Sequence, residues 1–258
     1  MMDGKPPPLS VEGGGGGAEG EGKPSPRPKA KRGEEATPQR STIGPHNIEP
    51  LVFAERVSAA TIEGNSIALS KILHKAGIRS LKEDCASLRS SLLPLHRAVS
   101  GFHFHGNKRL LVSTLVTLLN YGADIAQCDH YGNTITAKAI QTCTNSAVLP
   151  VLKLLLKSGA PVGVANSEGD MPIHAEMKRL RRDSAAVVEL LVAYGADINA
   201  ADRFGDTPWK IFMKQVSSGK VPPYGAKMLR TLLESGSAIS SAADVNAAEA
   251  LVARQATA

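Results

Sequence analysis

The chain returns four times to a glycine that closes a leucine-rich run, at a period of roughly 35–40 residues. A period of this size is typical of stacked-repeat proteins, in which no unit buries its apolar face alone and neighbouring units bury it together. Glycine adopts the positive-φ conformation that often ends a helix, so each run is predicted to be a helix that stops at the glycine. The four glycines are Gly122, Gly159, Gly195 and Gly236.

A second marker lies at a fixed distance after three of these glycines. Tetrapeptides that end 15 residues after a glycine lie at 134–137, 171–174 and 207–210, and an earlier copy lies at 93–96. Proline suits the first turn of a helix, where its missing N–H costs nothing, and threonine can cap the helix start. The tetrapeptides are therefore predicted to open helices. The residues that carry this pattern are Pro94, His96, Pro172, His174, Thr134, Thr207 and Pro208.

Together, the tetrapeptides and the leucine runs resemble the ankyrin repeat, whose Thr-Pro-Leu-His box opens one helix and whose Leu-Leu-x-x-Gly-Ala-Asp closes the next. The resemblance covers about residues 50–240. It implies an all-α ankyrin-repeat solenoid of helix pairs with extended, hairpin-like fingers, with about four full repeats and atypical terminal repeats. It also implies that His96 and His174 hydrogen-bond within and between neighbouring boxes. The boxes at 134–137 and 207–210 depart from the pattern, so their repeats are expected to be less regular.

Composition divides the chain into three parts. Proline and glycine supply 8 and 10 of the first 45 residues, so residues 1–47 are predicted to be a disordered tail. Its basic cluster is either a nuclear localisation patch or a solvated linker. Residues 48–240 are predicted to form the repeat domain, and 241–258 an alanine-rich helix that caps it. The cluster consists of Arg27, Lys29, Lys31 and Arg32.

The repeats are longer than 33 residues, and every insertion falls between a box and the next glycine, which places the insertions on one edge of a solenoid. That edge gathers basic residues, whereas the finger edge is mainly acidic, so we expect a molecule that is electrically polarised across its width. The alternative is that solvated helix ends simply favour lysine and arginine. The basic cluster proposed as a partner contact contains Lys178, Arg179, Arg181 and Arg182.

The finger tips form a second predicted surface. Two aromatic residues, Tyr131 and Phe204, are expected at the tips, and aromatic residues are favoured interface anchors. The family resemblance implies binding through the fingers and the concave helix face, with Glu168 and Arg203 as further contacts. The alternative is that the two aromatic rings pack on the neighbouring finger.

Catalytic chemistry has little support in the sequence. No phosphate-binding loop or acid–base constellation is recognisable, so we expect no enzyme activity and no cofactor. The segment 103–105, His-Phe-His, suggests a metal site, but a surface hairpin or contact loop is the better interpretation. Asn199 lies in a context that is similar to the site modified by asparaginyl hydroxylases, and its alternative role is a turn residue that bonds the backbone.

These features favour a non-enzymatic scaffold that binds a protein partner with an acidic surface. The alternative function is binding of an anionic polymer, such as nucleic acid, through the Lys/Arg edge. The three cysteines have no paired spacing, which suits the cytoplasm or nucleus. No apolar stretch reaches the length of about 18 residues that a membrane span needs. We expect a monomer.

Overall fold

The computed structural model describes residues 49–85, 93–218 and 224–239, together with seven further residues between 242 and 253. Every regular element in these residues is helical, and no β-strand occurs among them. The predicted all-α class is confirmed. The predicted tail 1–47, with its basic cluster, lies outside the described residues.

Eleven helices account for the ordered elements of the described chain. Five pairs follow one another, and the short helix α3 lies between the first two pairs. The helices are α1 (Pro50–Ile62), α2 (Ser66–Lys75), α3 (Leu81–Asp84), α4 (Pro94–His105), α5 (Lys108–Asn120), α6 (Ile135–Thr142), α7 (Asn145–Lys157), α8 (Pro172–Arg179), α9 (Ser184–Ala193), α10 (Pro208–Ser217) and α11 (Gly225–Glu234).

The pairs stack into two layers. The first helices of the pairs pack in chain order, α1 on α4, α4 on α6, α6 on α8 and α8 on α10. The second helices do the same, α2 on α5, α5 on α7, α7 on α9 and α9 on α11. Each pair therefore buries its apolar faces against its neighbours in the array, and one continuous core runs between the layers.

The predicted helix boundaries have identifiable local causes. Proline occupies the first turn of α1, α4, α8 and α10. The hydroxyls of Thr134 and Thr207 accept hydrogen bonds from the backbone N–H groups of Ala137 and Lys210, which caps α6 and α10 as expected. The glycines that follow α5, α7, α9 and α11 all have positive φ, between 65° and 88°.

Between α4 and α5 and between α6 and α7, the turns stay short even though the repeats are long. Only residues 106–107 separate α4 from α5, and only 143–144 separate α6 from α7. The segment 103–105, expected as a hairpin or contact loop, forms the last turn of α4, so that expectation was wrong. In this repeat the added residues extend α4 in the register that buries Val99 and Phe102, which makes helix the favourable conformation.

Described residues near the C-terminus are also helical. Ala242, Ala243, Val245 and Asn246 have helical backbone, and Val245 packs against the core. No helix in the described part of the chain combines the length and the apolar character that crossing a bilayer requires.

Candidate functional site

The loops that join successive pairs carry three equivalent turns, at 129–133, 166–170 and 202–206, which we call the tip turns. In each, the first residue donates its backbone N–H to the carbonyl of the fifth, at 3.0 Å. A side-chain oxygen of Asp129, Asn166 or Asp202 accepts the backbone N–H groups two and four residues later. Such Asx turns fix a tight reversal without a β-sheet.

The tip turns also contact one another. The backbone N–H of Ser167 donates to the carbonyl of Tyr131 at 2.9 Å. Gly169 approaches the third tip so closely that a Cβ atom there would lie 2.6 Å from the backbone nitrogen of Arg203. The three tips therefore form a continuous row whose backbone is held in place by neighbouring loops.

At Asp129 and Asp202, burial and hydrogen bonding shift the pKa of the carboxyl group in opposite directions. Burial alone would raise the pKa of Asp129, but hydrogen bonds from Asn133 and Tyr131 outweigh it and hold the pKa below its ordinary value. Burial also acts to raise the pKa of Asp202, and its backbone hydrogen bonds together with the charge of Lys178 overcome that effect. Both carboxylates are thus stabilised as anions inside the turns, where they support the backbone.

The side chains expected at the tips lie on this row and face solvent. Tyr131 is 58% exposed and Phe204 is 69% exposed. Each ring contacts a residue of its own turn, since Tyr131 lies against His130 with ring centroids 3.9 Å apart and the Arg203 guanidinium lies 4.7 Å from the centroid of Phe204. Glu168 is exposed on the middle tip. The row therefore presents two aromatic rings, one cation and one carboxylate.

The box histidines join neighbouring repeats from below the tips. His96 Nε2 lies 3.0 Å from the carbonyl oxygen of Asn133, and His174 Nε2 lies 2.9 Å from that of Ala200. His174 Nδ1 also accepts the backbone N–H of Met171, within its own box. Burial lowers the pKa of His96. These histidines are structural links, in which Nε2 of both rings and Nδ1 of His174 are already hydrogen-bonded.

Arg181 is buried, and its proposed role as a partner contact was wrong. It is 6% exposed, and its guanidinium pairs with Glu176, which is fully buried, at 2.8 Å. It also donates to the carbonyl oxygens of Ile140 and Cys143 in the preceding pair. Burying a guanidinium is favourable only when its donors are satisfied, and here the partners are all internal.

Lys178 is also committed to internal partners. Its Nζ lies 2.6 Å from both carboxylate oxygens of Asp170 and 3.7 Å from Asp202. Lys214 pairs in the same way with Asp206 at 2.5 Å. Lysines assigned to the basic edge thus neutralise acids assigned to the finger edge, so the expected separation of charge between the two edges is wrong at these positions.

Arg179 and Arg182, the other two residues of the basic cluster at 178–182, stay at the surface. Arg179 donates to the carbonyl oxygen of Gln141, and Arg182 is exposed. Burial lowers the pKa of Arg179, with the neighbouring charge of Arg181 acting in the same direction. Of the four predicted contacts, Arg182 is the exposed one that makes no hydrogen bond or ion pair with the described residues.

Asn199 bridges two repeats. Its amide nitrogen donates to the carbonyl oxygen of Gly236 at 3.1 Å, and its amide oxygen accepts the backbone N–H of Ala238. This arrangement fits the alternative role of a turn residue that bonds the backbone.

The described residues offer exposed surfaces for binding. No cluster of three or more His, Cys, Asp or Glu side chains in this part of the chain is placed to hold a metal ion. The sequence interpretation missed the Asx residues of the tip turns, although each lies seven residues after a helix-ending glycine. It also missed Glu176, whose position on the buried face of α8 beside Ile173 and Met177 was a signal of an internal partner.

No model of a protein family and no curated protein matches the sequence. The resemblance to ankyrin repeats therefore rests on the residues of this chain alone.

Proposed function

We propose that the chain is an ankyrin-like repeat solenoid that works as a non-enzymatic scaffold and binds a protein partner through its tip row. The tip row consists of Tyr131, Glu168, Arg203 and Phe204. The single observation that carries the proposal is the exposure of Tyr131 and Phe204 on turns that are locked to one another. Leaving two large rings in water has no benefit for folding, whereas rigid aromatic anchors lose little entropy when a partner covers them.

The mixed chemistry of the tip row supports a protein partner more than a small molecule. The rings of Tyr131 and Phe204 are mostly exposed, whereas small-molecule sites are concave and bury most of the ligand. Arg203 beside Phe204 combines a cation with an apolar ring, a combination that is enriched in protein interfaces. We propose a monomeric scaffold in the cytoplasm or nucleus.

Site-specific photo-crosslinking tests this surface. Benzoylphenylalanine replaces Tyr131 or Phe204 in the full chain, and Tyr194, 41% exposed at the end of α9, is the matched control. In a nuclease-treated lysate, we expect one protein to crosslink from both tip positions and not from the control. The double variant Tyr131→Ser, Phe204→Ser should capture about tenfold less, or less still, of that crosslinked protein from the lysate, and its helical circular dichroism should be unchanged. Unchanged capture by the folded double variant would refute the tip-row proposal.

Binding of nucleic acid through the Lys/Arg edge has less support from the side-chain contacts than from the residue pattern. Arg181 is buried and Lys178 is neutralised, which leaves that edge with fewer free cations than expected. The alternative predicts that affinity falls steeply with salt, because phosphate contacts release counterions. A flat salt response would dismiss it.

A further inference from the structure

Charge in the array is divided between its two helix layers. The second helices carry eight lysine and arginine residues but only two glutamates, an excess of six positive charges. All eight basic side chains are exposed, and the ion pairs found among the described residues involve none of them. The eight are Lys71, Lys75, Lys108, Arg109, Lys153, Lys157, Lys227 and Arg230.

The lysines of α2 and α7 occupy equivalent places. Lys71 and Lys75 lie six and two residues before Gly77, which follows α2, and Lys153 and Lys157 lie at the same distances before Gly159. Residues four apart share one face of a helix. Each of these two helices therefore presents a pair of ammonium groups on its exposed side.

Helix α5 lies between these two helices and lacks charge at the same positions. It packs against both α2 and α7. Six and two residues before Gly122 it carries Val116, 38% exposed, and Asn120. The C-terminal half of α5 therefore exposes an uncharged stripe with a pair of lysines on either side, and the two basic residues of α5, Lys108 and Arg109, lie at its N-terminal end.

An apolar row crosses the same three helices next to the lysines. Ten residues before their terminal glycines, α2, α5 and α7 carry Ile67, Val112 and Leu149. Ile67 is 70% exposed, and the other two are partly buried. Large apolar groups beside unpaired cations indicate a binding surface more than a solvated face, because solvation alone favours polar residues.

We propose that this outer face, formed by α2, α5 and α7, binds an acidic amphipathic helix of a protein partner. Neighbouring helix axes lie about 8–10 Å apart, so α2 and α7 are separated by about 16–20 Å. A helix about 10–12 Å wide that lies over α5 reaches the lysines on both sides. Its apolar stripe covers Val116 and the Ile67 row, and carboxylates on its two flanks meet the four lysines. This surface is separate from the tip row.

The uncharged centre distinguishes this partner from nucleic acid. A phosphate backbone is best held by cations along its path, with aromatic side chains to stack on when the strand is single. Here the middle of the surface is a valine and an asparagine, and no aromatic side chain lies among the equivalent positions of α2, α5 and α7. An apolar stripe flanked by carboxylates complements that pattern directly.

Fluorescence anisotropy of the full chain with designed peptides tests the proposal. The probe is a labelled helical peptide of about 16 residues with a leucine stripe between two rows of glutamate. We expect it to bind, with an affinity that falls as salt increases. A scrambled peptide of the same composition, a peptide with lysine in place of glutamate, and a short DNA duplex should bind at least about tenfold more weakly.

Two sets of variants place the site. Changing Lys71, Lys75, Lys153 and Lys157 to glutamate should weaken binding of the probe by about tenfold or more, and Val116→Asp should weaken it by about fivefold or more. The control for charge changes Arg56, Arg182, Lys227 and Arg230 to glutamate, and the control for the valine is Val164→Asp. Both controls should stay within about twofold of the wild type.

Three results would overturn the proposal. The first is no measurable binding of the acidic amphipathic probe, and the second is equal weakening by the charge control, which would show a response to net charge alone. The third is equal or tighter binding of the scrambled peptide or the DNA. Helical circular dichroism of every variant checks that lost binding is not lost folding.

Discussion

Arg181 and Glu176 form a buried pair whose removal should be costly. The Arg181 side chain bonds both oxygens of Glu176 and two carbonyl oxygens of the preceding pair. Arg181→Ala leaves the fully buried Glu176 carboxylate without its cation, so we expect a loss of about 3–5 kcal/mol in the free energy of unfolding. Urea denaturation measures it. The exposed neighbour changed to alanine, Arg182→Ala, should cost less than about 0.5 kcal/mol, and equal stability of the two variants would contradict the structural role.

The sequence placed Arg181 at the surface because charged residues are usually exposed. Nothing in the order of residues 178–182 distinguishes the buried arginine from its three basic neighbours. The distinction depends on Leu180, whose positive φ of 37° turns the chain at the end of α8, and on carbonyl groups about 40 residues away. Local pattern carries no information about such distant partners.

His96 should make stability depend on pH. Burial depresses its folded-state pKa below the ordinary value of 6.5. Above pH 6.5 the histidine is neutral in both states, and as the pH falls below 6.5 the unfolded state takes up the proton first, so stability is lost. As the pH falls below 6.5, we expect the free energy of unfolding of the wild type to decrease by up to about 1.4 kcal/mol per pH unit more than that of His96→Gln. Urea unfolding at a series of pH values measures this difference. Parallel curves for His96→Gln and the wild type would contradict the prediction.

Among the connecting loops, a comparison of Gly169 with Gly205 separates the effect of positive φ from the effect of close contact with a neighbouring loop. Gly169 and Gly205 occupy the same place in consecutive tip turns, with φ of 77° and 75°. A Cβ atom at Gly169 meets the Arg203 backbone at 2.6 Å, whereas one at Gly205 meets nothing within 4 Å. In both variants alanine must adopt a positive φ, which is unfavourable. Gly205→Ala should therefore lower the free energy of unfolding by about 1 kcal/mol, and Gly169→Ala should lower it clearly more, because its Cβ atom also meets the Arg203 backbone. Equal losses in urea denaturation would show that the tips do not hold one another.

Helices and their ends were largely predictable, and their lengths were not. Box prolines, capping threonines and helix-ending glycines act within one or two turns, so the sequence shows them directly. The stretch 101–109 had no comparable signal, because alternating histidine and phenylalanine suits a strand as well as a helix end. The helical conformation is favoured because it buries Phe102 in the core, and α4 packs there against α1. Tertiary contacts therefore decided the element that local pattern left open.

On the scale of the whole molecule, charge follows the layers more than the edges. Finger acids such as Asp170 and Asp206 pair with lysines of the first helices, so the first layer and the loops largely neutralise each other. The second helices keep their positive charge. The residue counts showed an excess of cations, and the sequence analysis assigned this excess to one edge. It could not foresee the pairing of Asp170 with Lys178, because that pairing depends on where the loop returns to the helix. The outer face is consequently the surface on which long-range attraction of an acidic partner should be strongest.

A stack of pairs that contact only their neighbours should lose order from an end. Among the eleven helices, α10 packs on α8 and α11 on α9, whereas α6 and α7 have neighbouring pairs on both sides. Trp209, 1% exposed on α10, reports the last pair, and Cys143, fully buried after α6, reports a middle pair. Burial raises the pKa of the Cys143 thiol to about 12, so it should not react with a thiol reagent at neutral pH until its pair opens.

We therefore expect the two probes to report different unfolding midpoints. In a Cys85→Ser, Cys128→Ser background, which leaves Cys143 as the sole thiol, the red shift of Trp209 emission should precede thiol reactivity by about 0.5 M urea or more. A gap of that size corresponds to about 1 kcal/mol of interface missing at the end of the stack. Coincident midpoints would instead mean that all pairs unfold together, and that the interfaces between pairs are strong enough to make the array a single cooperative unit.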